Sequence, residues 1–170
     1  MIDPGLIAPE HLLSEALRGA RTVAILGCGS ELRGDDAAGE EVAERLLELE
    51  AGKGSNTLVC CGGSAPENFT GEIKKFRPDL LLIIDAADMG LPPGAVAMIK
   101  SDEIGGASSS THSLALNIMS GYLERETGCR VSVLGIQPAS MEFGAALTPN
   151  VRQTVDEIVS ALDNLLQTIH

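Results

Sequence analysis

Short apolar runs alternate along this chain with longer stretches of helical period. Val23 to Leu26, Thr57 to Cys61, Leu80 to Ile84, Ala95 to Ile99 and Val131 to Ile136 read as five strands. The third is the clearest. Its unbroken apolar run predicts the centre of a sheet covered on both faces, and it closes on Asp85. From Ala37 onward Val42, Leu46 and Leu49 fall on one helical stripe, with Glu41 placed four residues before Arg45 for a side-chain pair. Glu67 to Phe76 is a shorter helical segment with Pro78 beyond its end. A further helix runs through Leu114, Ile118, Met119 and Tyr122. Thr148 and Pro149 open the last helix as N-cap and first-turn proline, and Val151, Val155, Ile158, Val159, Leu162, Leu165 and Leu166 give it a core-packing face.

Residues 1–20 form a leader ahead of a single domain over residues 21–170. Pro9 and Glu10 open a leader helix with Leu12, Leu13, Ala16 and Leu17 on one side, and Gly19 ends it. That helix is expected to pack on the domain or on a second subunit, with His11 at the surface. The link from Ala86 to Gly94 is too short for a parallel crossover, so the strand after it is expected to run antiparallel to its predecessor. Lys100 to Thr111, rich in Gly and Ser, can span about 35 Å when extended and so return the chain to the carboxyl edge of the sheet.

The formal charge of −12 argues against a nucleic-acid partner, which needs a basic face. None of the apolar runs is long enough to cross a bilayer, and no basic stretch leading into an apolar core marks a signal peptide. The four cysteines contain no Cys-x-x-Cys. Cys60 and Cys61 are adjacent while Cys28 and Cys129 stand alone, so a reduced, cytoplasmic setting fits better than a disulfide framework.

The candidate chemistry centres on Gly27-Cys28-Gly29-Ser30 and the Gly34-Asp35-Asp36 that follows. Strand, glycine loop and helix start commonly make a phosphate site. Here Leu32 stands where a dinucleotide fingerprint needs its third glycine, and Asp35 and Asp36 replace the lysine and hydroxyl of a P-loop. Two carboxylates there repel a phosphate, so no nucleotide is expected. The helix dipole instead favours an ionised Asp36, which suits a metal ligand or general base. A cap at Asp35 with a first-turn acid at Asp36 accounts equally well for that stretch alone.

A carboxylate closing so apolar a strand is costly unless partnered, which draws Asp85 toward function. In open α/β sheets the carboxyl edge is also where ligands bind. His112 stands at a helix start, where its neutral, metal-binding form is favoured. Asp36, Asp85 and His112 can converge at one sheet edge. Together they form a three-point mount for a borderline divalent metal such as Ni, Zn or Mn, with coordination positions left open. There is no His-Glu-x-x-His, and Gly63-Ser64-Ala65-Pro66 is not a serine-hydrolase elbow.

These motifs, with Gly62-Gly63-Ser64-Ala65-Pro66-Glu67-Asn68, Asp85-Ala86-Ala87-Asp88-Met89-Gly90, Thr111-His112 and Gly135-Ile136-Gln137-Pro138, resemble those of the hydrogenase maturation endopeptidases. The resemblance runs from about Val23 to the C-terminus and is to the subtype serving formate-hydrogenlyase and related energy-converting [NiFe] hydrogenases. It implies a three-layer α/β/α domain with a central, mostly parallel five-stranded sheet and one antiparallel strand. It implies removal of a C-terminal extension from the precursor of the hydrogenase large subunit once nickel is installed. Asp36, Asp85 and His112 would bind that nickel, carried by the substrate, with Asp36 or Asp85 as general base. Gly62, Gly63 and Asp88 would contact the substrate, and the enzyme would act as a monomer.

Many relatives have an acid just before the Gly-Gly pair, where this chain has Cys61. That weakens any mechanism needing a third carboxylate there and puts a soft sulfur near the metal. Two other readings stand beside this one. One is a metallohydrolase holding its own catalytic metal; the other is a module that binds the nickel-loaded large subunit without cutting it.

Overall fold

Strand β1 (Val23–Cys28) and strand β3 (Leu80–Ala86) are buried along their whole length, as their unbroken apolar runs require. The computed structural model describes residues 7–100 and 113–169. Within them the sheet has the order β2-β1-β3-β5-β4, completed by β2 (Thr57–Gly63), β4 (Val96–Lys100) and β5 (Arg130–Ile136). Strands β2, β1, β3 and β5 are parallel, and β4 is antiparallel to β5.

The expectation for β4 holds for its direction and not for its neighbour. Strand β5 inserts between β3 and β4, pairing along the whole of β3 from Leu80↔Arg130 to Ala86↔Ile136. The link from β3 to β4 therefore steps over the carboxyl end of β5. Ala87 N–H donates to Ile136 O (3.0 Å), Gly94 N–H to Gln137 O (2.9 Å) and Gln137 N–H to Ala95 O (2.8 Å). A strand apolar on both faces needs a partner on each edge, and β5 meets that need better than the short β4.

Alternation sorts the side chains onto two faces. Ile25, Leu82, Ile84, Leu134 and Ile136 meet α2 (Ala38–Glu48), α5 (Pro149–Leu166) and α1 (Pro9–Leu17) on one side. Leu26, Cys28, Leu81, Ile83 and Val133 meet α3 (Thr70–Phe76) and α4 (Ser113–Thr127) on the other. Helix α1 packs on α5 and sends Leu13 and Leu17 into the first core. Each such fully buried leucine contributes about 1.5–3 kcal/mol relative to exposure. No helix among the described residues is long and apolar enough to cross a membrane.

Two details of α2 differ from the pattern. Leu49 is its C-cap residue and is 55% exposed, so the buried stripe ends at Leu46. Arg45 pairs with Asp156 of α5 rather than with Glu41, because α2 lies against α5 and brings that carboxylate within reach.

Helix α2 also sits unusually close to the sheet. A Cβ at Gly39 would lie 2.1 Å from Ile84 O and 2.6 Å from Cys28 O, and one at Gly27 would lie 2.2 Å from Gly39 O. The two glycines let the helix start press directly onto the carboxyl ends of β1 and β3. Gly39→Ala is expected to lift that end of α2 and cost about 1–3 kcal/mol. A lowered urea midpoint with an unchanged m-value reads this out, and an unchanged midpoint refutes it.

From β1 the chain moves outward to β2, whereas from β3 it moves outward to β5 and β4. The crevice beyond the carboxyl ends of β1 and β3 is therefore the switch point of the sheet, where such folds hold their ligands. Helix α4 joins β5 through only Gly128 and Cys129 and packs on it. It must run opposite to β5, so its first residue, Ser113, lies toward that same edge.

Candidate active site

The glycine loop after β1 builds one wall of the crevice. Gly29 takes a φ of +134°, and a Cβ there would lie 1.7 Å from Asp36 O. Only glycine allows the loop to fold back this tightly. Gly34 to Ala37 then form a 3-10 turn that delivers Asp35 and Asp36 ahead of α2.

The two aspartates part company. Asp36 is buried, and its Oδ2 accepts a hydrogen bond from Ser30 N–H at 2.9 Å, which locks the carboxylate to the glycine loop. Asp35 is wholly buried and faces the segment between β5 and α5. Its Oδ2 accepts from Ala139 N–H (2.8 Å), Ser140 N–H (3.1 Å) and Thr148 Oγ1 (2.8 Å), and its Oδ1 from Thr148 N–H (2.7 Å). Asp35 is thus neither a cap of its own helix nor a solvent-facing acid. Thr148 occupies the N-cap position of α5, but its hydroxyl is spent on Asp35 and makes no cap bond.

Asp85 is the sixth residue of β3 and is buried. Gly27 pairs with Ile84, so Cys28 and Asp85 lie side by side on the α3–α4 face. Burial, then the charges of Asp85, Glu40, Asp36 and Glu67, push the Cys28 thiol well above the ordinary cysteine range. Cys28 is therefore a protonated thiol in a nest of acids. The charges of Asp36 and Asp85, distant in sequence, thus both act on this one sulfur. His112 lies outside the described residues.

Gly62 and Gly63 end β2. Gly63 N–H donates to Glu40 Oε2 at 2.8 Å, and its carbonyl accepts from Gly29 N–H at 2.9 Å, which ties the two glycine loops together. Asp88 is exposed on the loop after β3, where its Oδ1 accepts from Gly90 N–H and from Gln137 Nε2, each at 3.2 Å.

Reading the sequence missed the acids of α2. Glu40 is buried at the glycine loops, and burial raises its carboxyl despite the bond from Gly63. Its carboxylate lies within 4.8 Å of those of Glu31 and Glu44. The i, i+4 spacing of Glu40 and Glu44 was the available signal. Cys61 borders this group. Burial, then Glu40, Glu44 and Glu31, push its thiol up to about 11, so at neutral pH it is a thiol and not a thiolate.

A hydrogen bond with Glu31, helped by burial and like charge, raises Glu44 to about 7 from an ordinary 4.5. Between those values the folded chain holds a proton that the unfolded chain releases. The contribution to stability is present in full below about 4.5, falls as pH rises toward 7 and is gone above it. Glu44→Gln is expected to lower the melting temperature less than wild type between about pH 5 and pH 8, because its amide stays neutral throughout. Equal losses in the two proteins would show that Glu44 holds no such proton.

The profile of the HycI family, described as hydrogenase maturation protease, matches residues 40–164. The Hydrogenase 3 maturation protease of Escherichia coli K12 is 37% identical over 143 residues, covering 84% of this chain and 89% of that protein. The crystal structure of a [NiFe] hydrogenase maturation protease HycI from Thermococcus kodakarensis is similar with a TM-score of 0.84 at 31% identity. It covers 92% of this chain and 99% of its own. The solution structure of an endopeptidase HycI from Escherichia coli gives a TM-score of 0.73 at 35% identity, covering 84% of this chain and 90% of that one. Sequence profile, relatives and sheet topology agree: this chain is a protease of the HycI hydrogenase maturation family.

Proposed function

We propose that this chain removes the C-terminal extension from a [NiFe]-hydrogenase large-subunit precursor after nickel has been inserted, working in the cytoplasm as a monomer. The observation that carries the reading is the placement of Asp36 on the glycine loop after β1 and of Asp85 at the carboxyl end of β3, beside Cys28, at the switch point of the sheet. Nickel in this reading is part of the substrate. Asp36, Asp85 and His112 engage it through two carboxylates and an imidazole, a donor set suited to a borderline divalent ion. The precursor's own cysteines fill the remaining coordination positions.

The carboxylates have a second duty. Once the metal-bearing segment is seated, Asp36 or Asp85 takes a proton from the attacking water as general base. Asp36 is held for this by Ser30 N–H, which fixes its Oδ2 and leaves Oδ1 for the substrate side. The precursor's backbone passes Gly62, Gly63 and Asp88. Among the described residues, no atom outside Gly63 and its two chain neighbours lies within 4 Å of where a Cβ of Gly63 would stand, which leaves room there for an incoming chain. A precursor without nickel lacks the ion that seats it, so cleavage waits for metal insertion.

Mass spectrometry of nickel-loaded and nickel-free large-subunit precursor, before and after mixing with the protein, tests the reading. Loss of the extension only from the loaded form is expected. An unchanged mass for the loaded form, or equal cutting of both, would overturn it.

A further inference from the structure

The loop after Asp85 is held by one side chain that the proposed chemistry leaves unused. Gln137 follows the last residue of β5 and is 7% exposed. Its Oε1 accepts from Met89 N–H (2.6 Å) and Leu91 N–H (3.3 Å), and its Nε2 donates to Asp88 Oδ1 (3.2 Å) and Pro138 O (3.3 Å). Its backbone N–H and C=O are engaged as well, with Ala95 and Gly94. Every polar group of this residue is committed, and three of its partners, Asp88, Met89 and Leu91, lie in the segment that leaves Asp85.

The two ends of the amide do different work. The Oε1 bonds hold the backbone of the loop against β5, as any well-placed acceptor would. The Nε2 bond reaches a charged side chain at the surface. Asp88 Oδ1 also accepts from Gly90 N–H, so the carboxylate is gripped from two directions through one oxygen. Its other oxygen has no hydrogen-bond partner among the described residues and so can accept from an incoming donor. A floppy surface aspartate loses rotamer freedom when it binds, and this one has lost it beforehand.

We infer that Gln137 is a positioning residue that holds Asp88 with one carboxylate oxygen presented, so that Asp88 accepts a hydrogen bond from a backbone N–H of the polypeptide substrate. This deepens the proposed function and rests on it for the identity of the substrate. The assignment puts substrate contact on the loop leaving β3, immediately downstream of Asp85.

Gln137→Glu separates the two ends. One carboxylate oxygen replaces Oε1 and still accepts from Met89 and Leu91, so the loop keeps its anchor. The other replaces a donor with an anion that repels Asp88. The charged neighbours are Asp88 on the β3–β4 loop, Asp85 on β3, and Asp35, which binds Ala139 and Ser140 just downstream. All three are acids, so they raise the new carboxyl above its ordinary 4.3 or so and bring its protonation into an accessible range. Once protonated, its O–H can donate to Asp88 as the amide did.

The experiment measures cleavage and binding of nickel-loaded large-subunit precursor by wild type, Gln137→Glu, Asp88→Ala and the double variant at about pH 8 and about pH 5.5. At the higher pH, Gln137→Glu is expected to raise KM and Kd about tenfold with kcat held within about twofold. The ratio to wild type should shrink at the lower pH. Asp88→Ala should weaken binding similarly, and adding Gln137→Glu to it should change little further. A KM and Kd within about twofold of wild type at both pH values overturns the assignment. So does a defect of equal size at both pH values, or one that simply adds to that of Asp88→Ala. At about pH 5.5 the melting temperature of Gln137→Glu is expected to approach that of wild type, and at about pH 8 to fall below it as the raised carboxyl ionises. The Met89 and Leu91 amides are expected to stay protected at both, and loss of that protection would show a purely structural role. Should wild type bind the precursor without cutting it, the proposed function fails while the Kd values still decide the role of Gln137.

Discussion

Asp36→Ala protein is expected to leave nickel-loaded precursor almost uncut, with turnover reduced about 10²–10⁴-fold, the usual worth of a positioned general base. Asp85→Asn is expected to act as strongly. The two carboxylates come from different segments, Asp36 from the turn after β1 and Asp85 from the end of β3, so neither has a substitute. Asp85→Asn is nearly isosteric and isolates the loss of charge from any cavity. For Asp36, the bond from Ser30 N–H is also lost, and its net worth is about 1.5–3 kcal/mol because the acceptor is ionised. Asp36→Asn keeps an oxygen for that bond and should remain folded, yet it should cut no better than Asp36→Ala. The assay is single-turnover loss of the extension followed by mass, with circular dichroism to establish folding. His112→Ala belongs in the same series. Wild-type rates from Asp36→Ala and His112→Ala together would remove the nickel checkpoint.

The second large effect is on stability. Asp35→Ala leaves four part-buried donors, the amides of Ala139, Ser140 and Thr148 and the Thr148 hydroxyl, without their buried acceptor. An orphaned buried donor costs about 1–3 kcal/mol, and relaxation with water entry relieves part of the sum, so a net loss of about 4 kcal/mol is expected. For a chain of this length that lowers the melting temperature by about 8–16 °C. Asp35 also joins the glycine loop to the segment before α5, since its own N–H donates to Ser140 O at 2.9 Å. The site should therefore loosen before the core does. Faster amide exchange at Ala139, Ser140 and Thr148 in Asp35→Ala, ahead of the β3 amides, would show this. A melting temperature within about 2 °C of wild type would mean that Asp35 is not the tie these bonds describe.

Asp35 and Asp36 show why adjacent residues of one type can be inseparable in sequence and opposite in role. Periodicity carries no information about a residue in a tight turn, because each φ and ψ there redirects the next side chain. The 3-10 turn from Gly34 to Ala37 sends one carboxylate to Ser30 and its neighbour to Thr148. Sequence spacing suggested a cap for Asp35, whereas the partners that claim it lie 104 to 113 residues away. Arg45 makes the same point, since its helical neighbour Glu41 lost to Asp156 on a different helix. Glu40 has no distinguishing mark in the sequence, because nothing local announces that the end of β2 will close over it.

The apolar runs by themselves determined that β1 and β3 are central strands, that helices cover both faces, and that Asp85 closes a strand at the carboxyl edge. Burial of continuous apolar segments is a local demand that any satisfactory fold must meet. The glycine motifs likewise announced the tight turns from Gly29 to Gly34, whereas the loop expected from Gly62 starts only after Gly63, because both glycines still belong to β2. Only the tertiary structure decided that β5 slips between β3 and β4, that Cys28 and Asp85 become neighbours, and that Gln137 reaches across to Asp88. Those are pairings between segments many tens of residues apart. Strand order and hydrogen-bond geometry settle them, and neither is written in the period of the sequence.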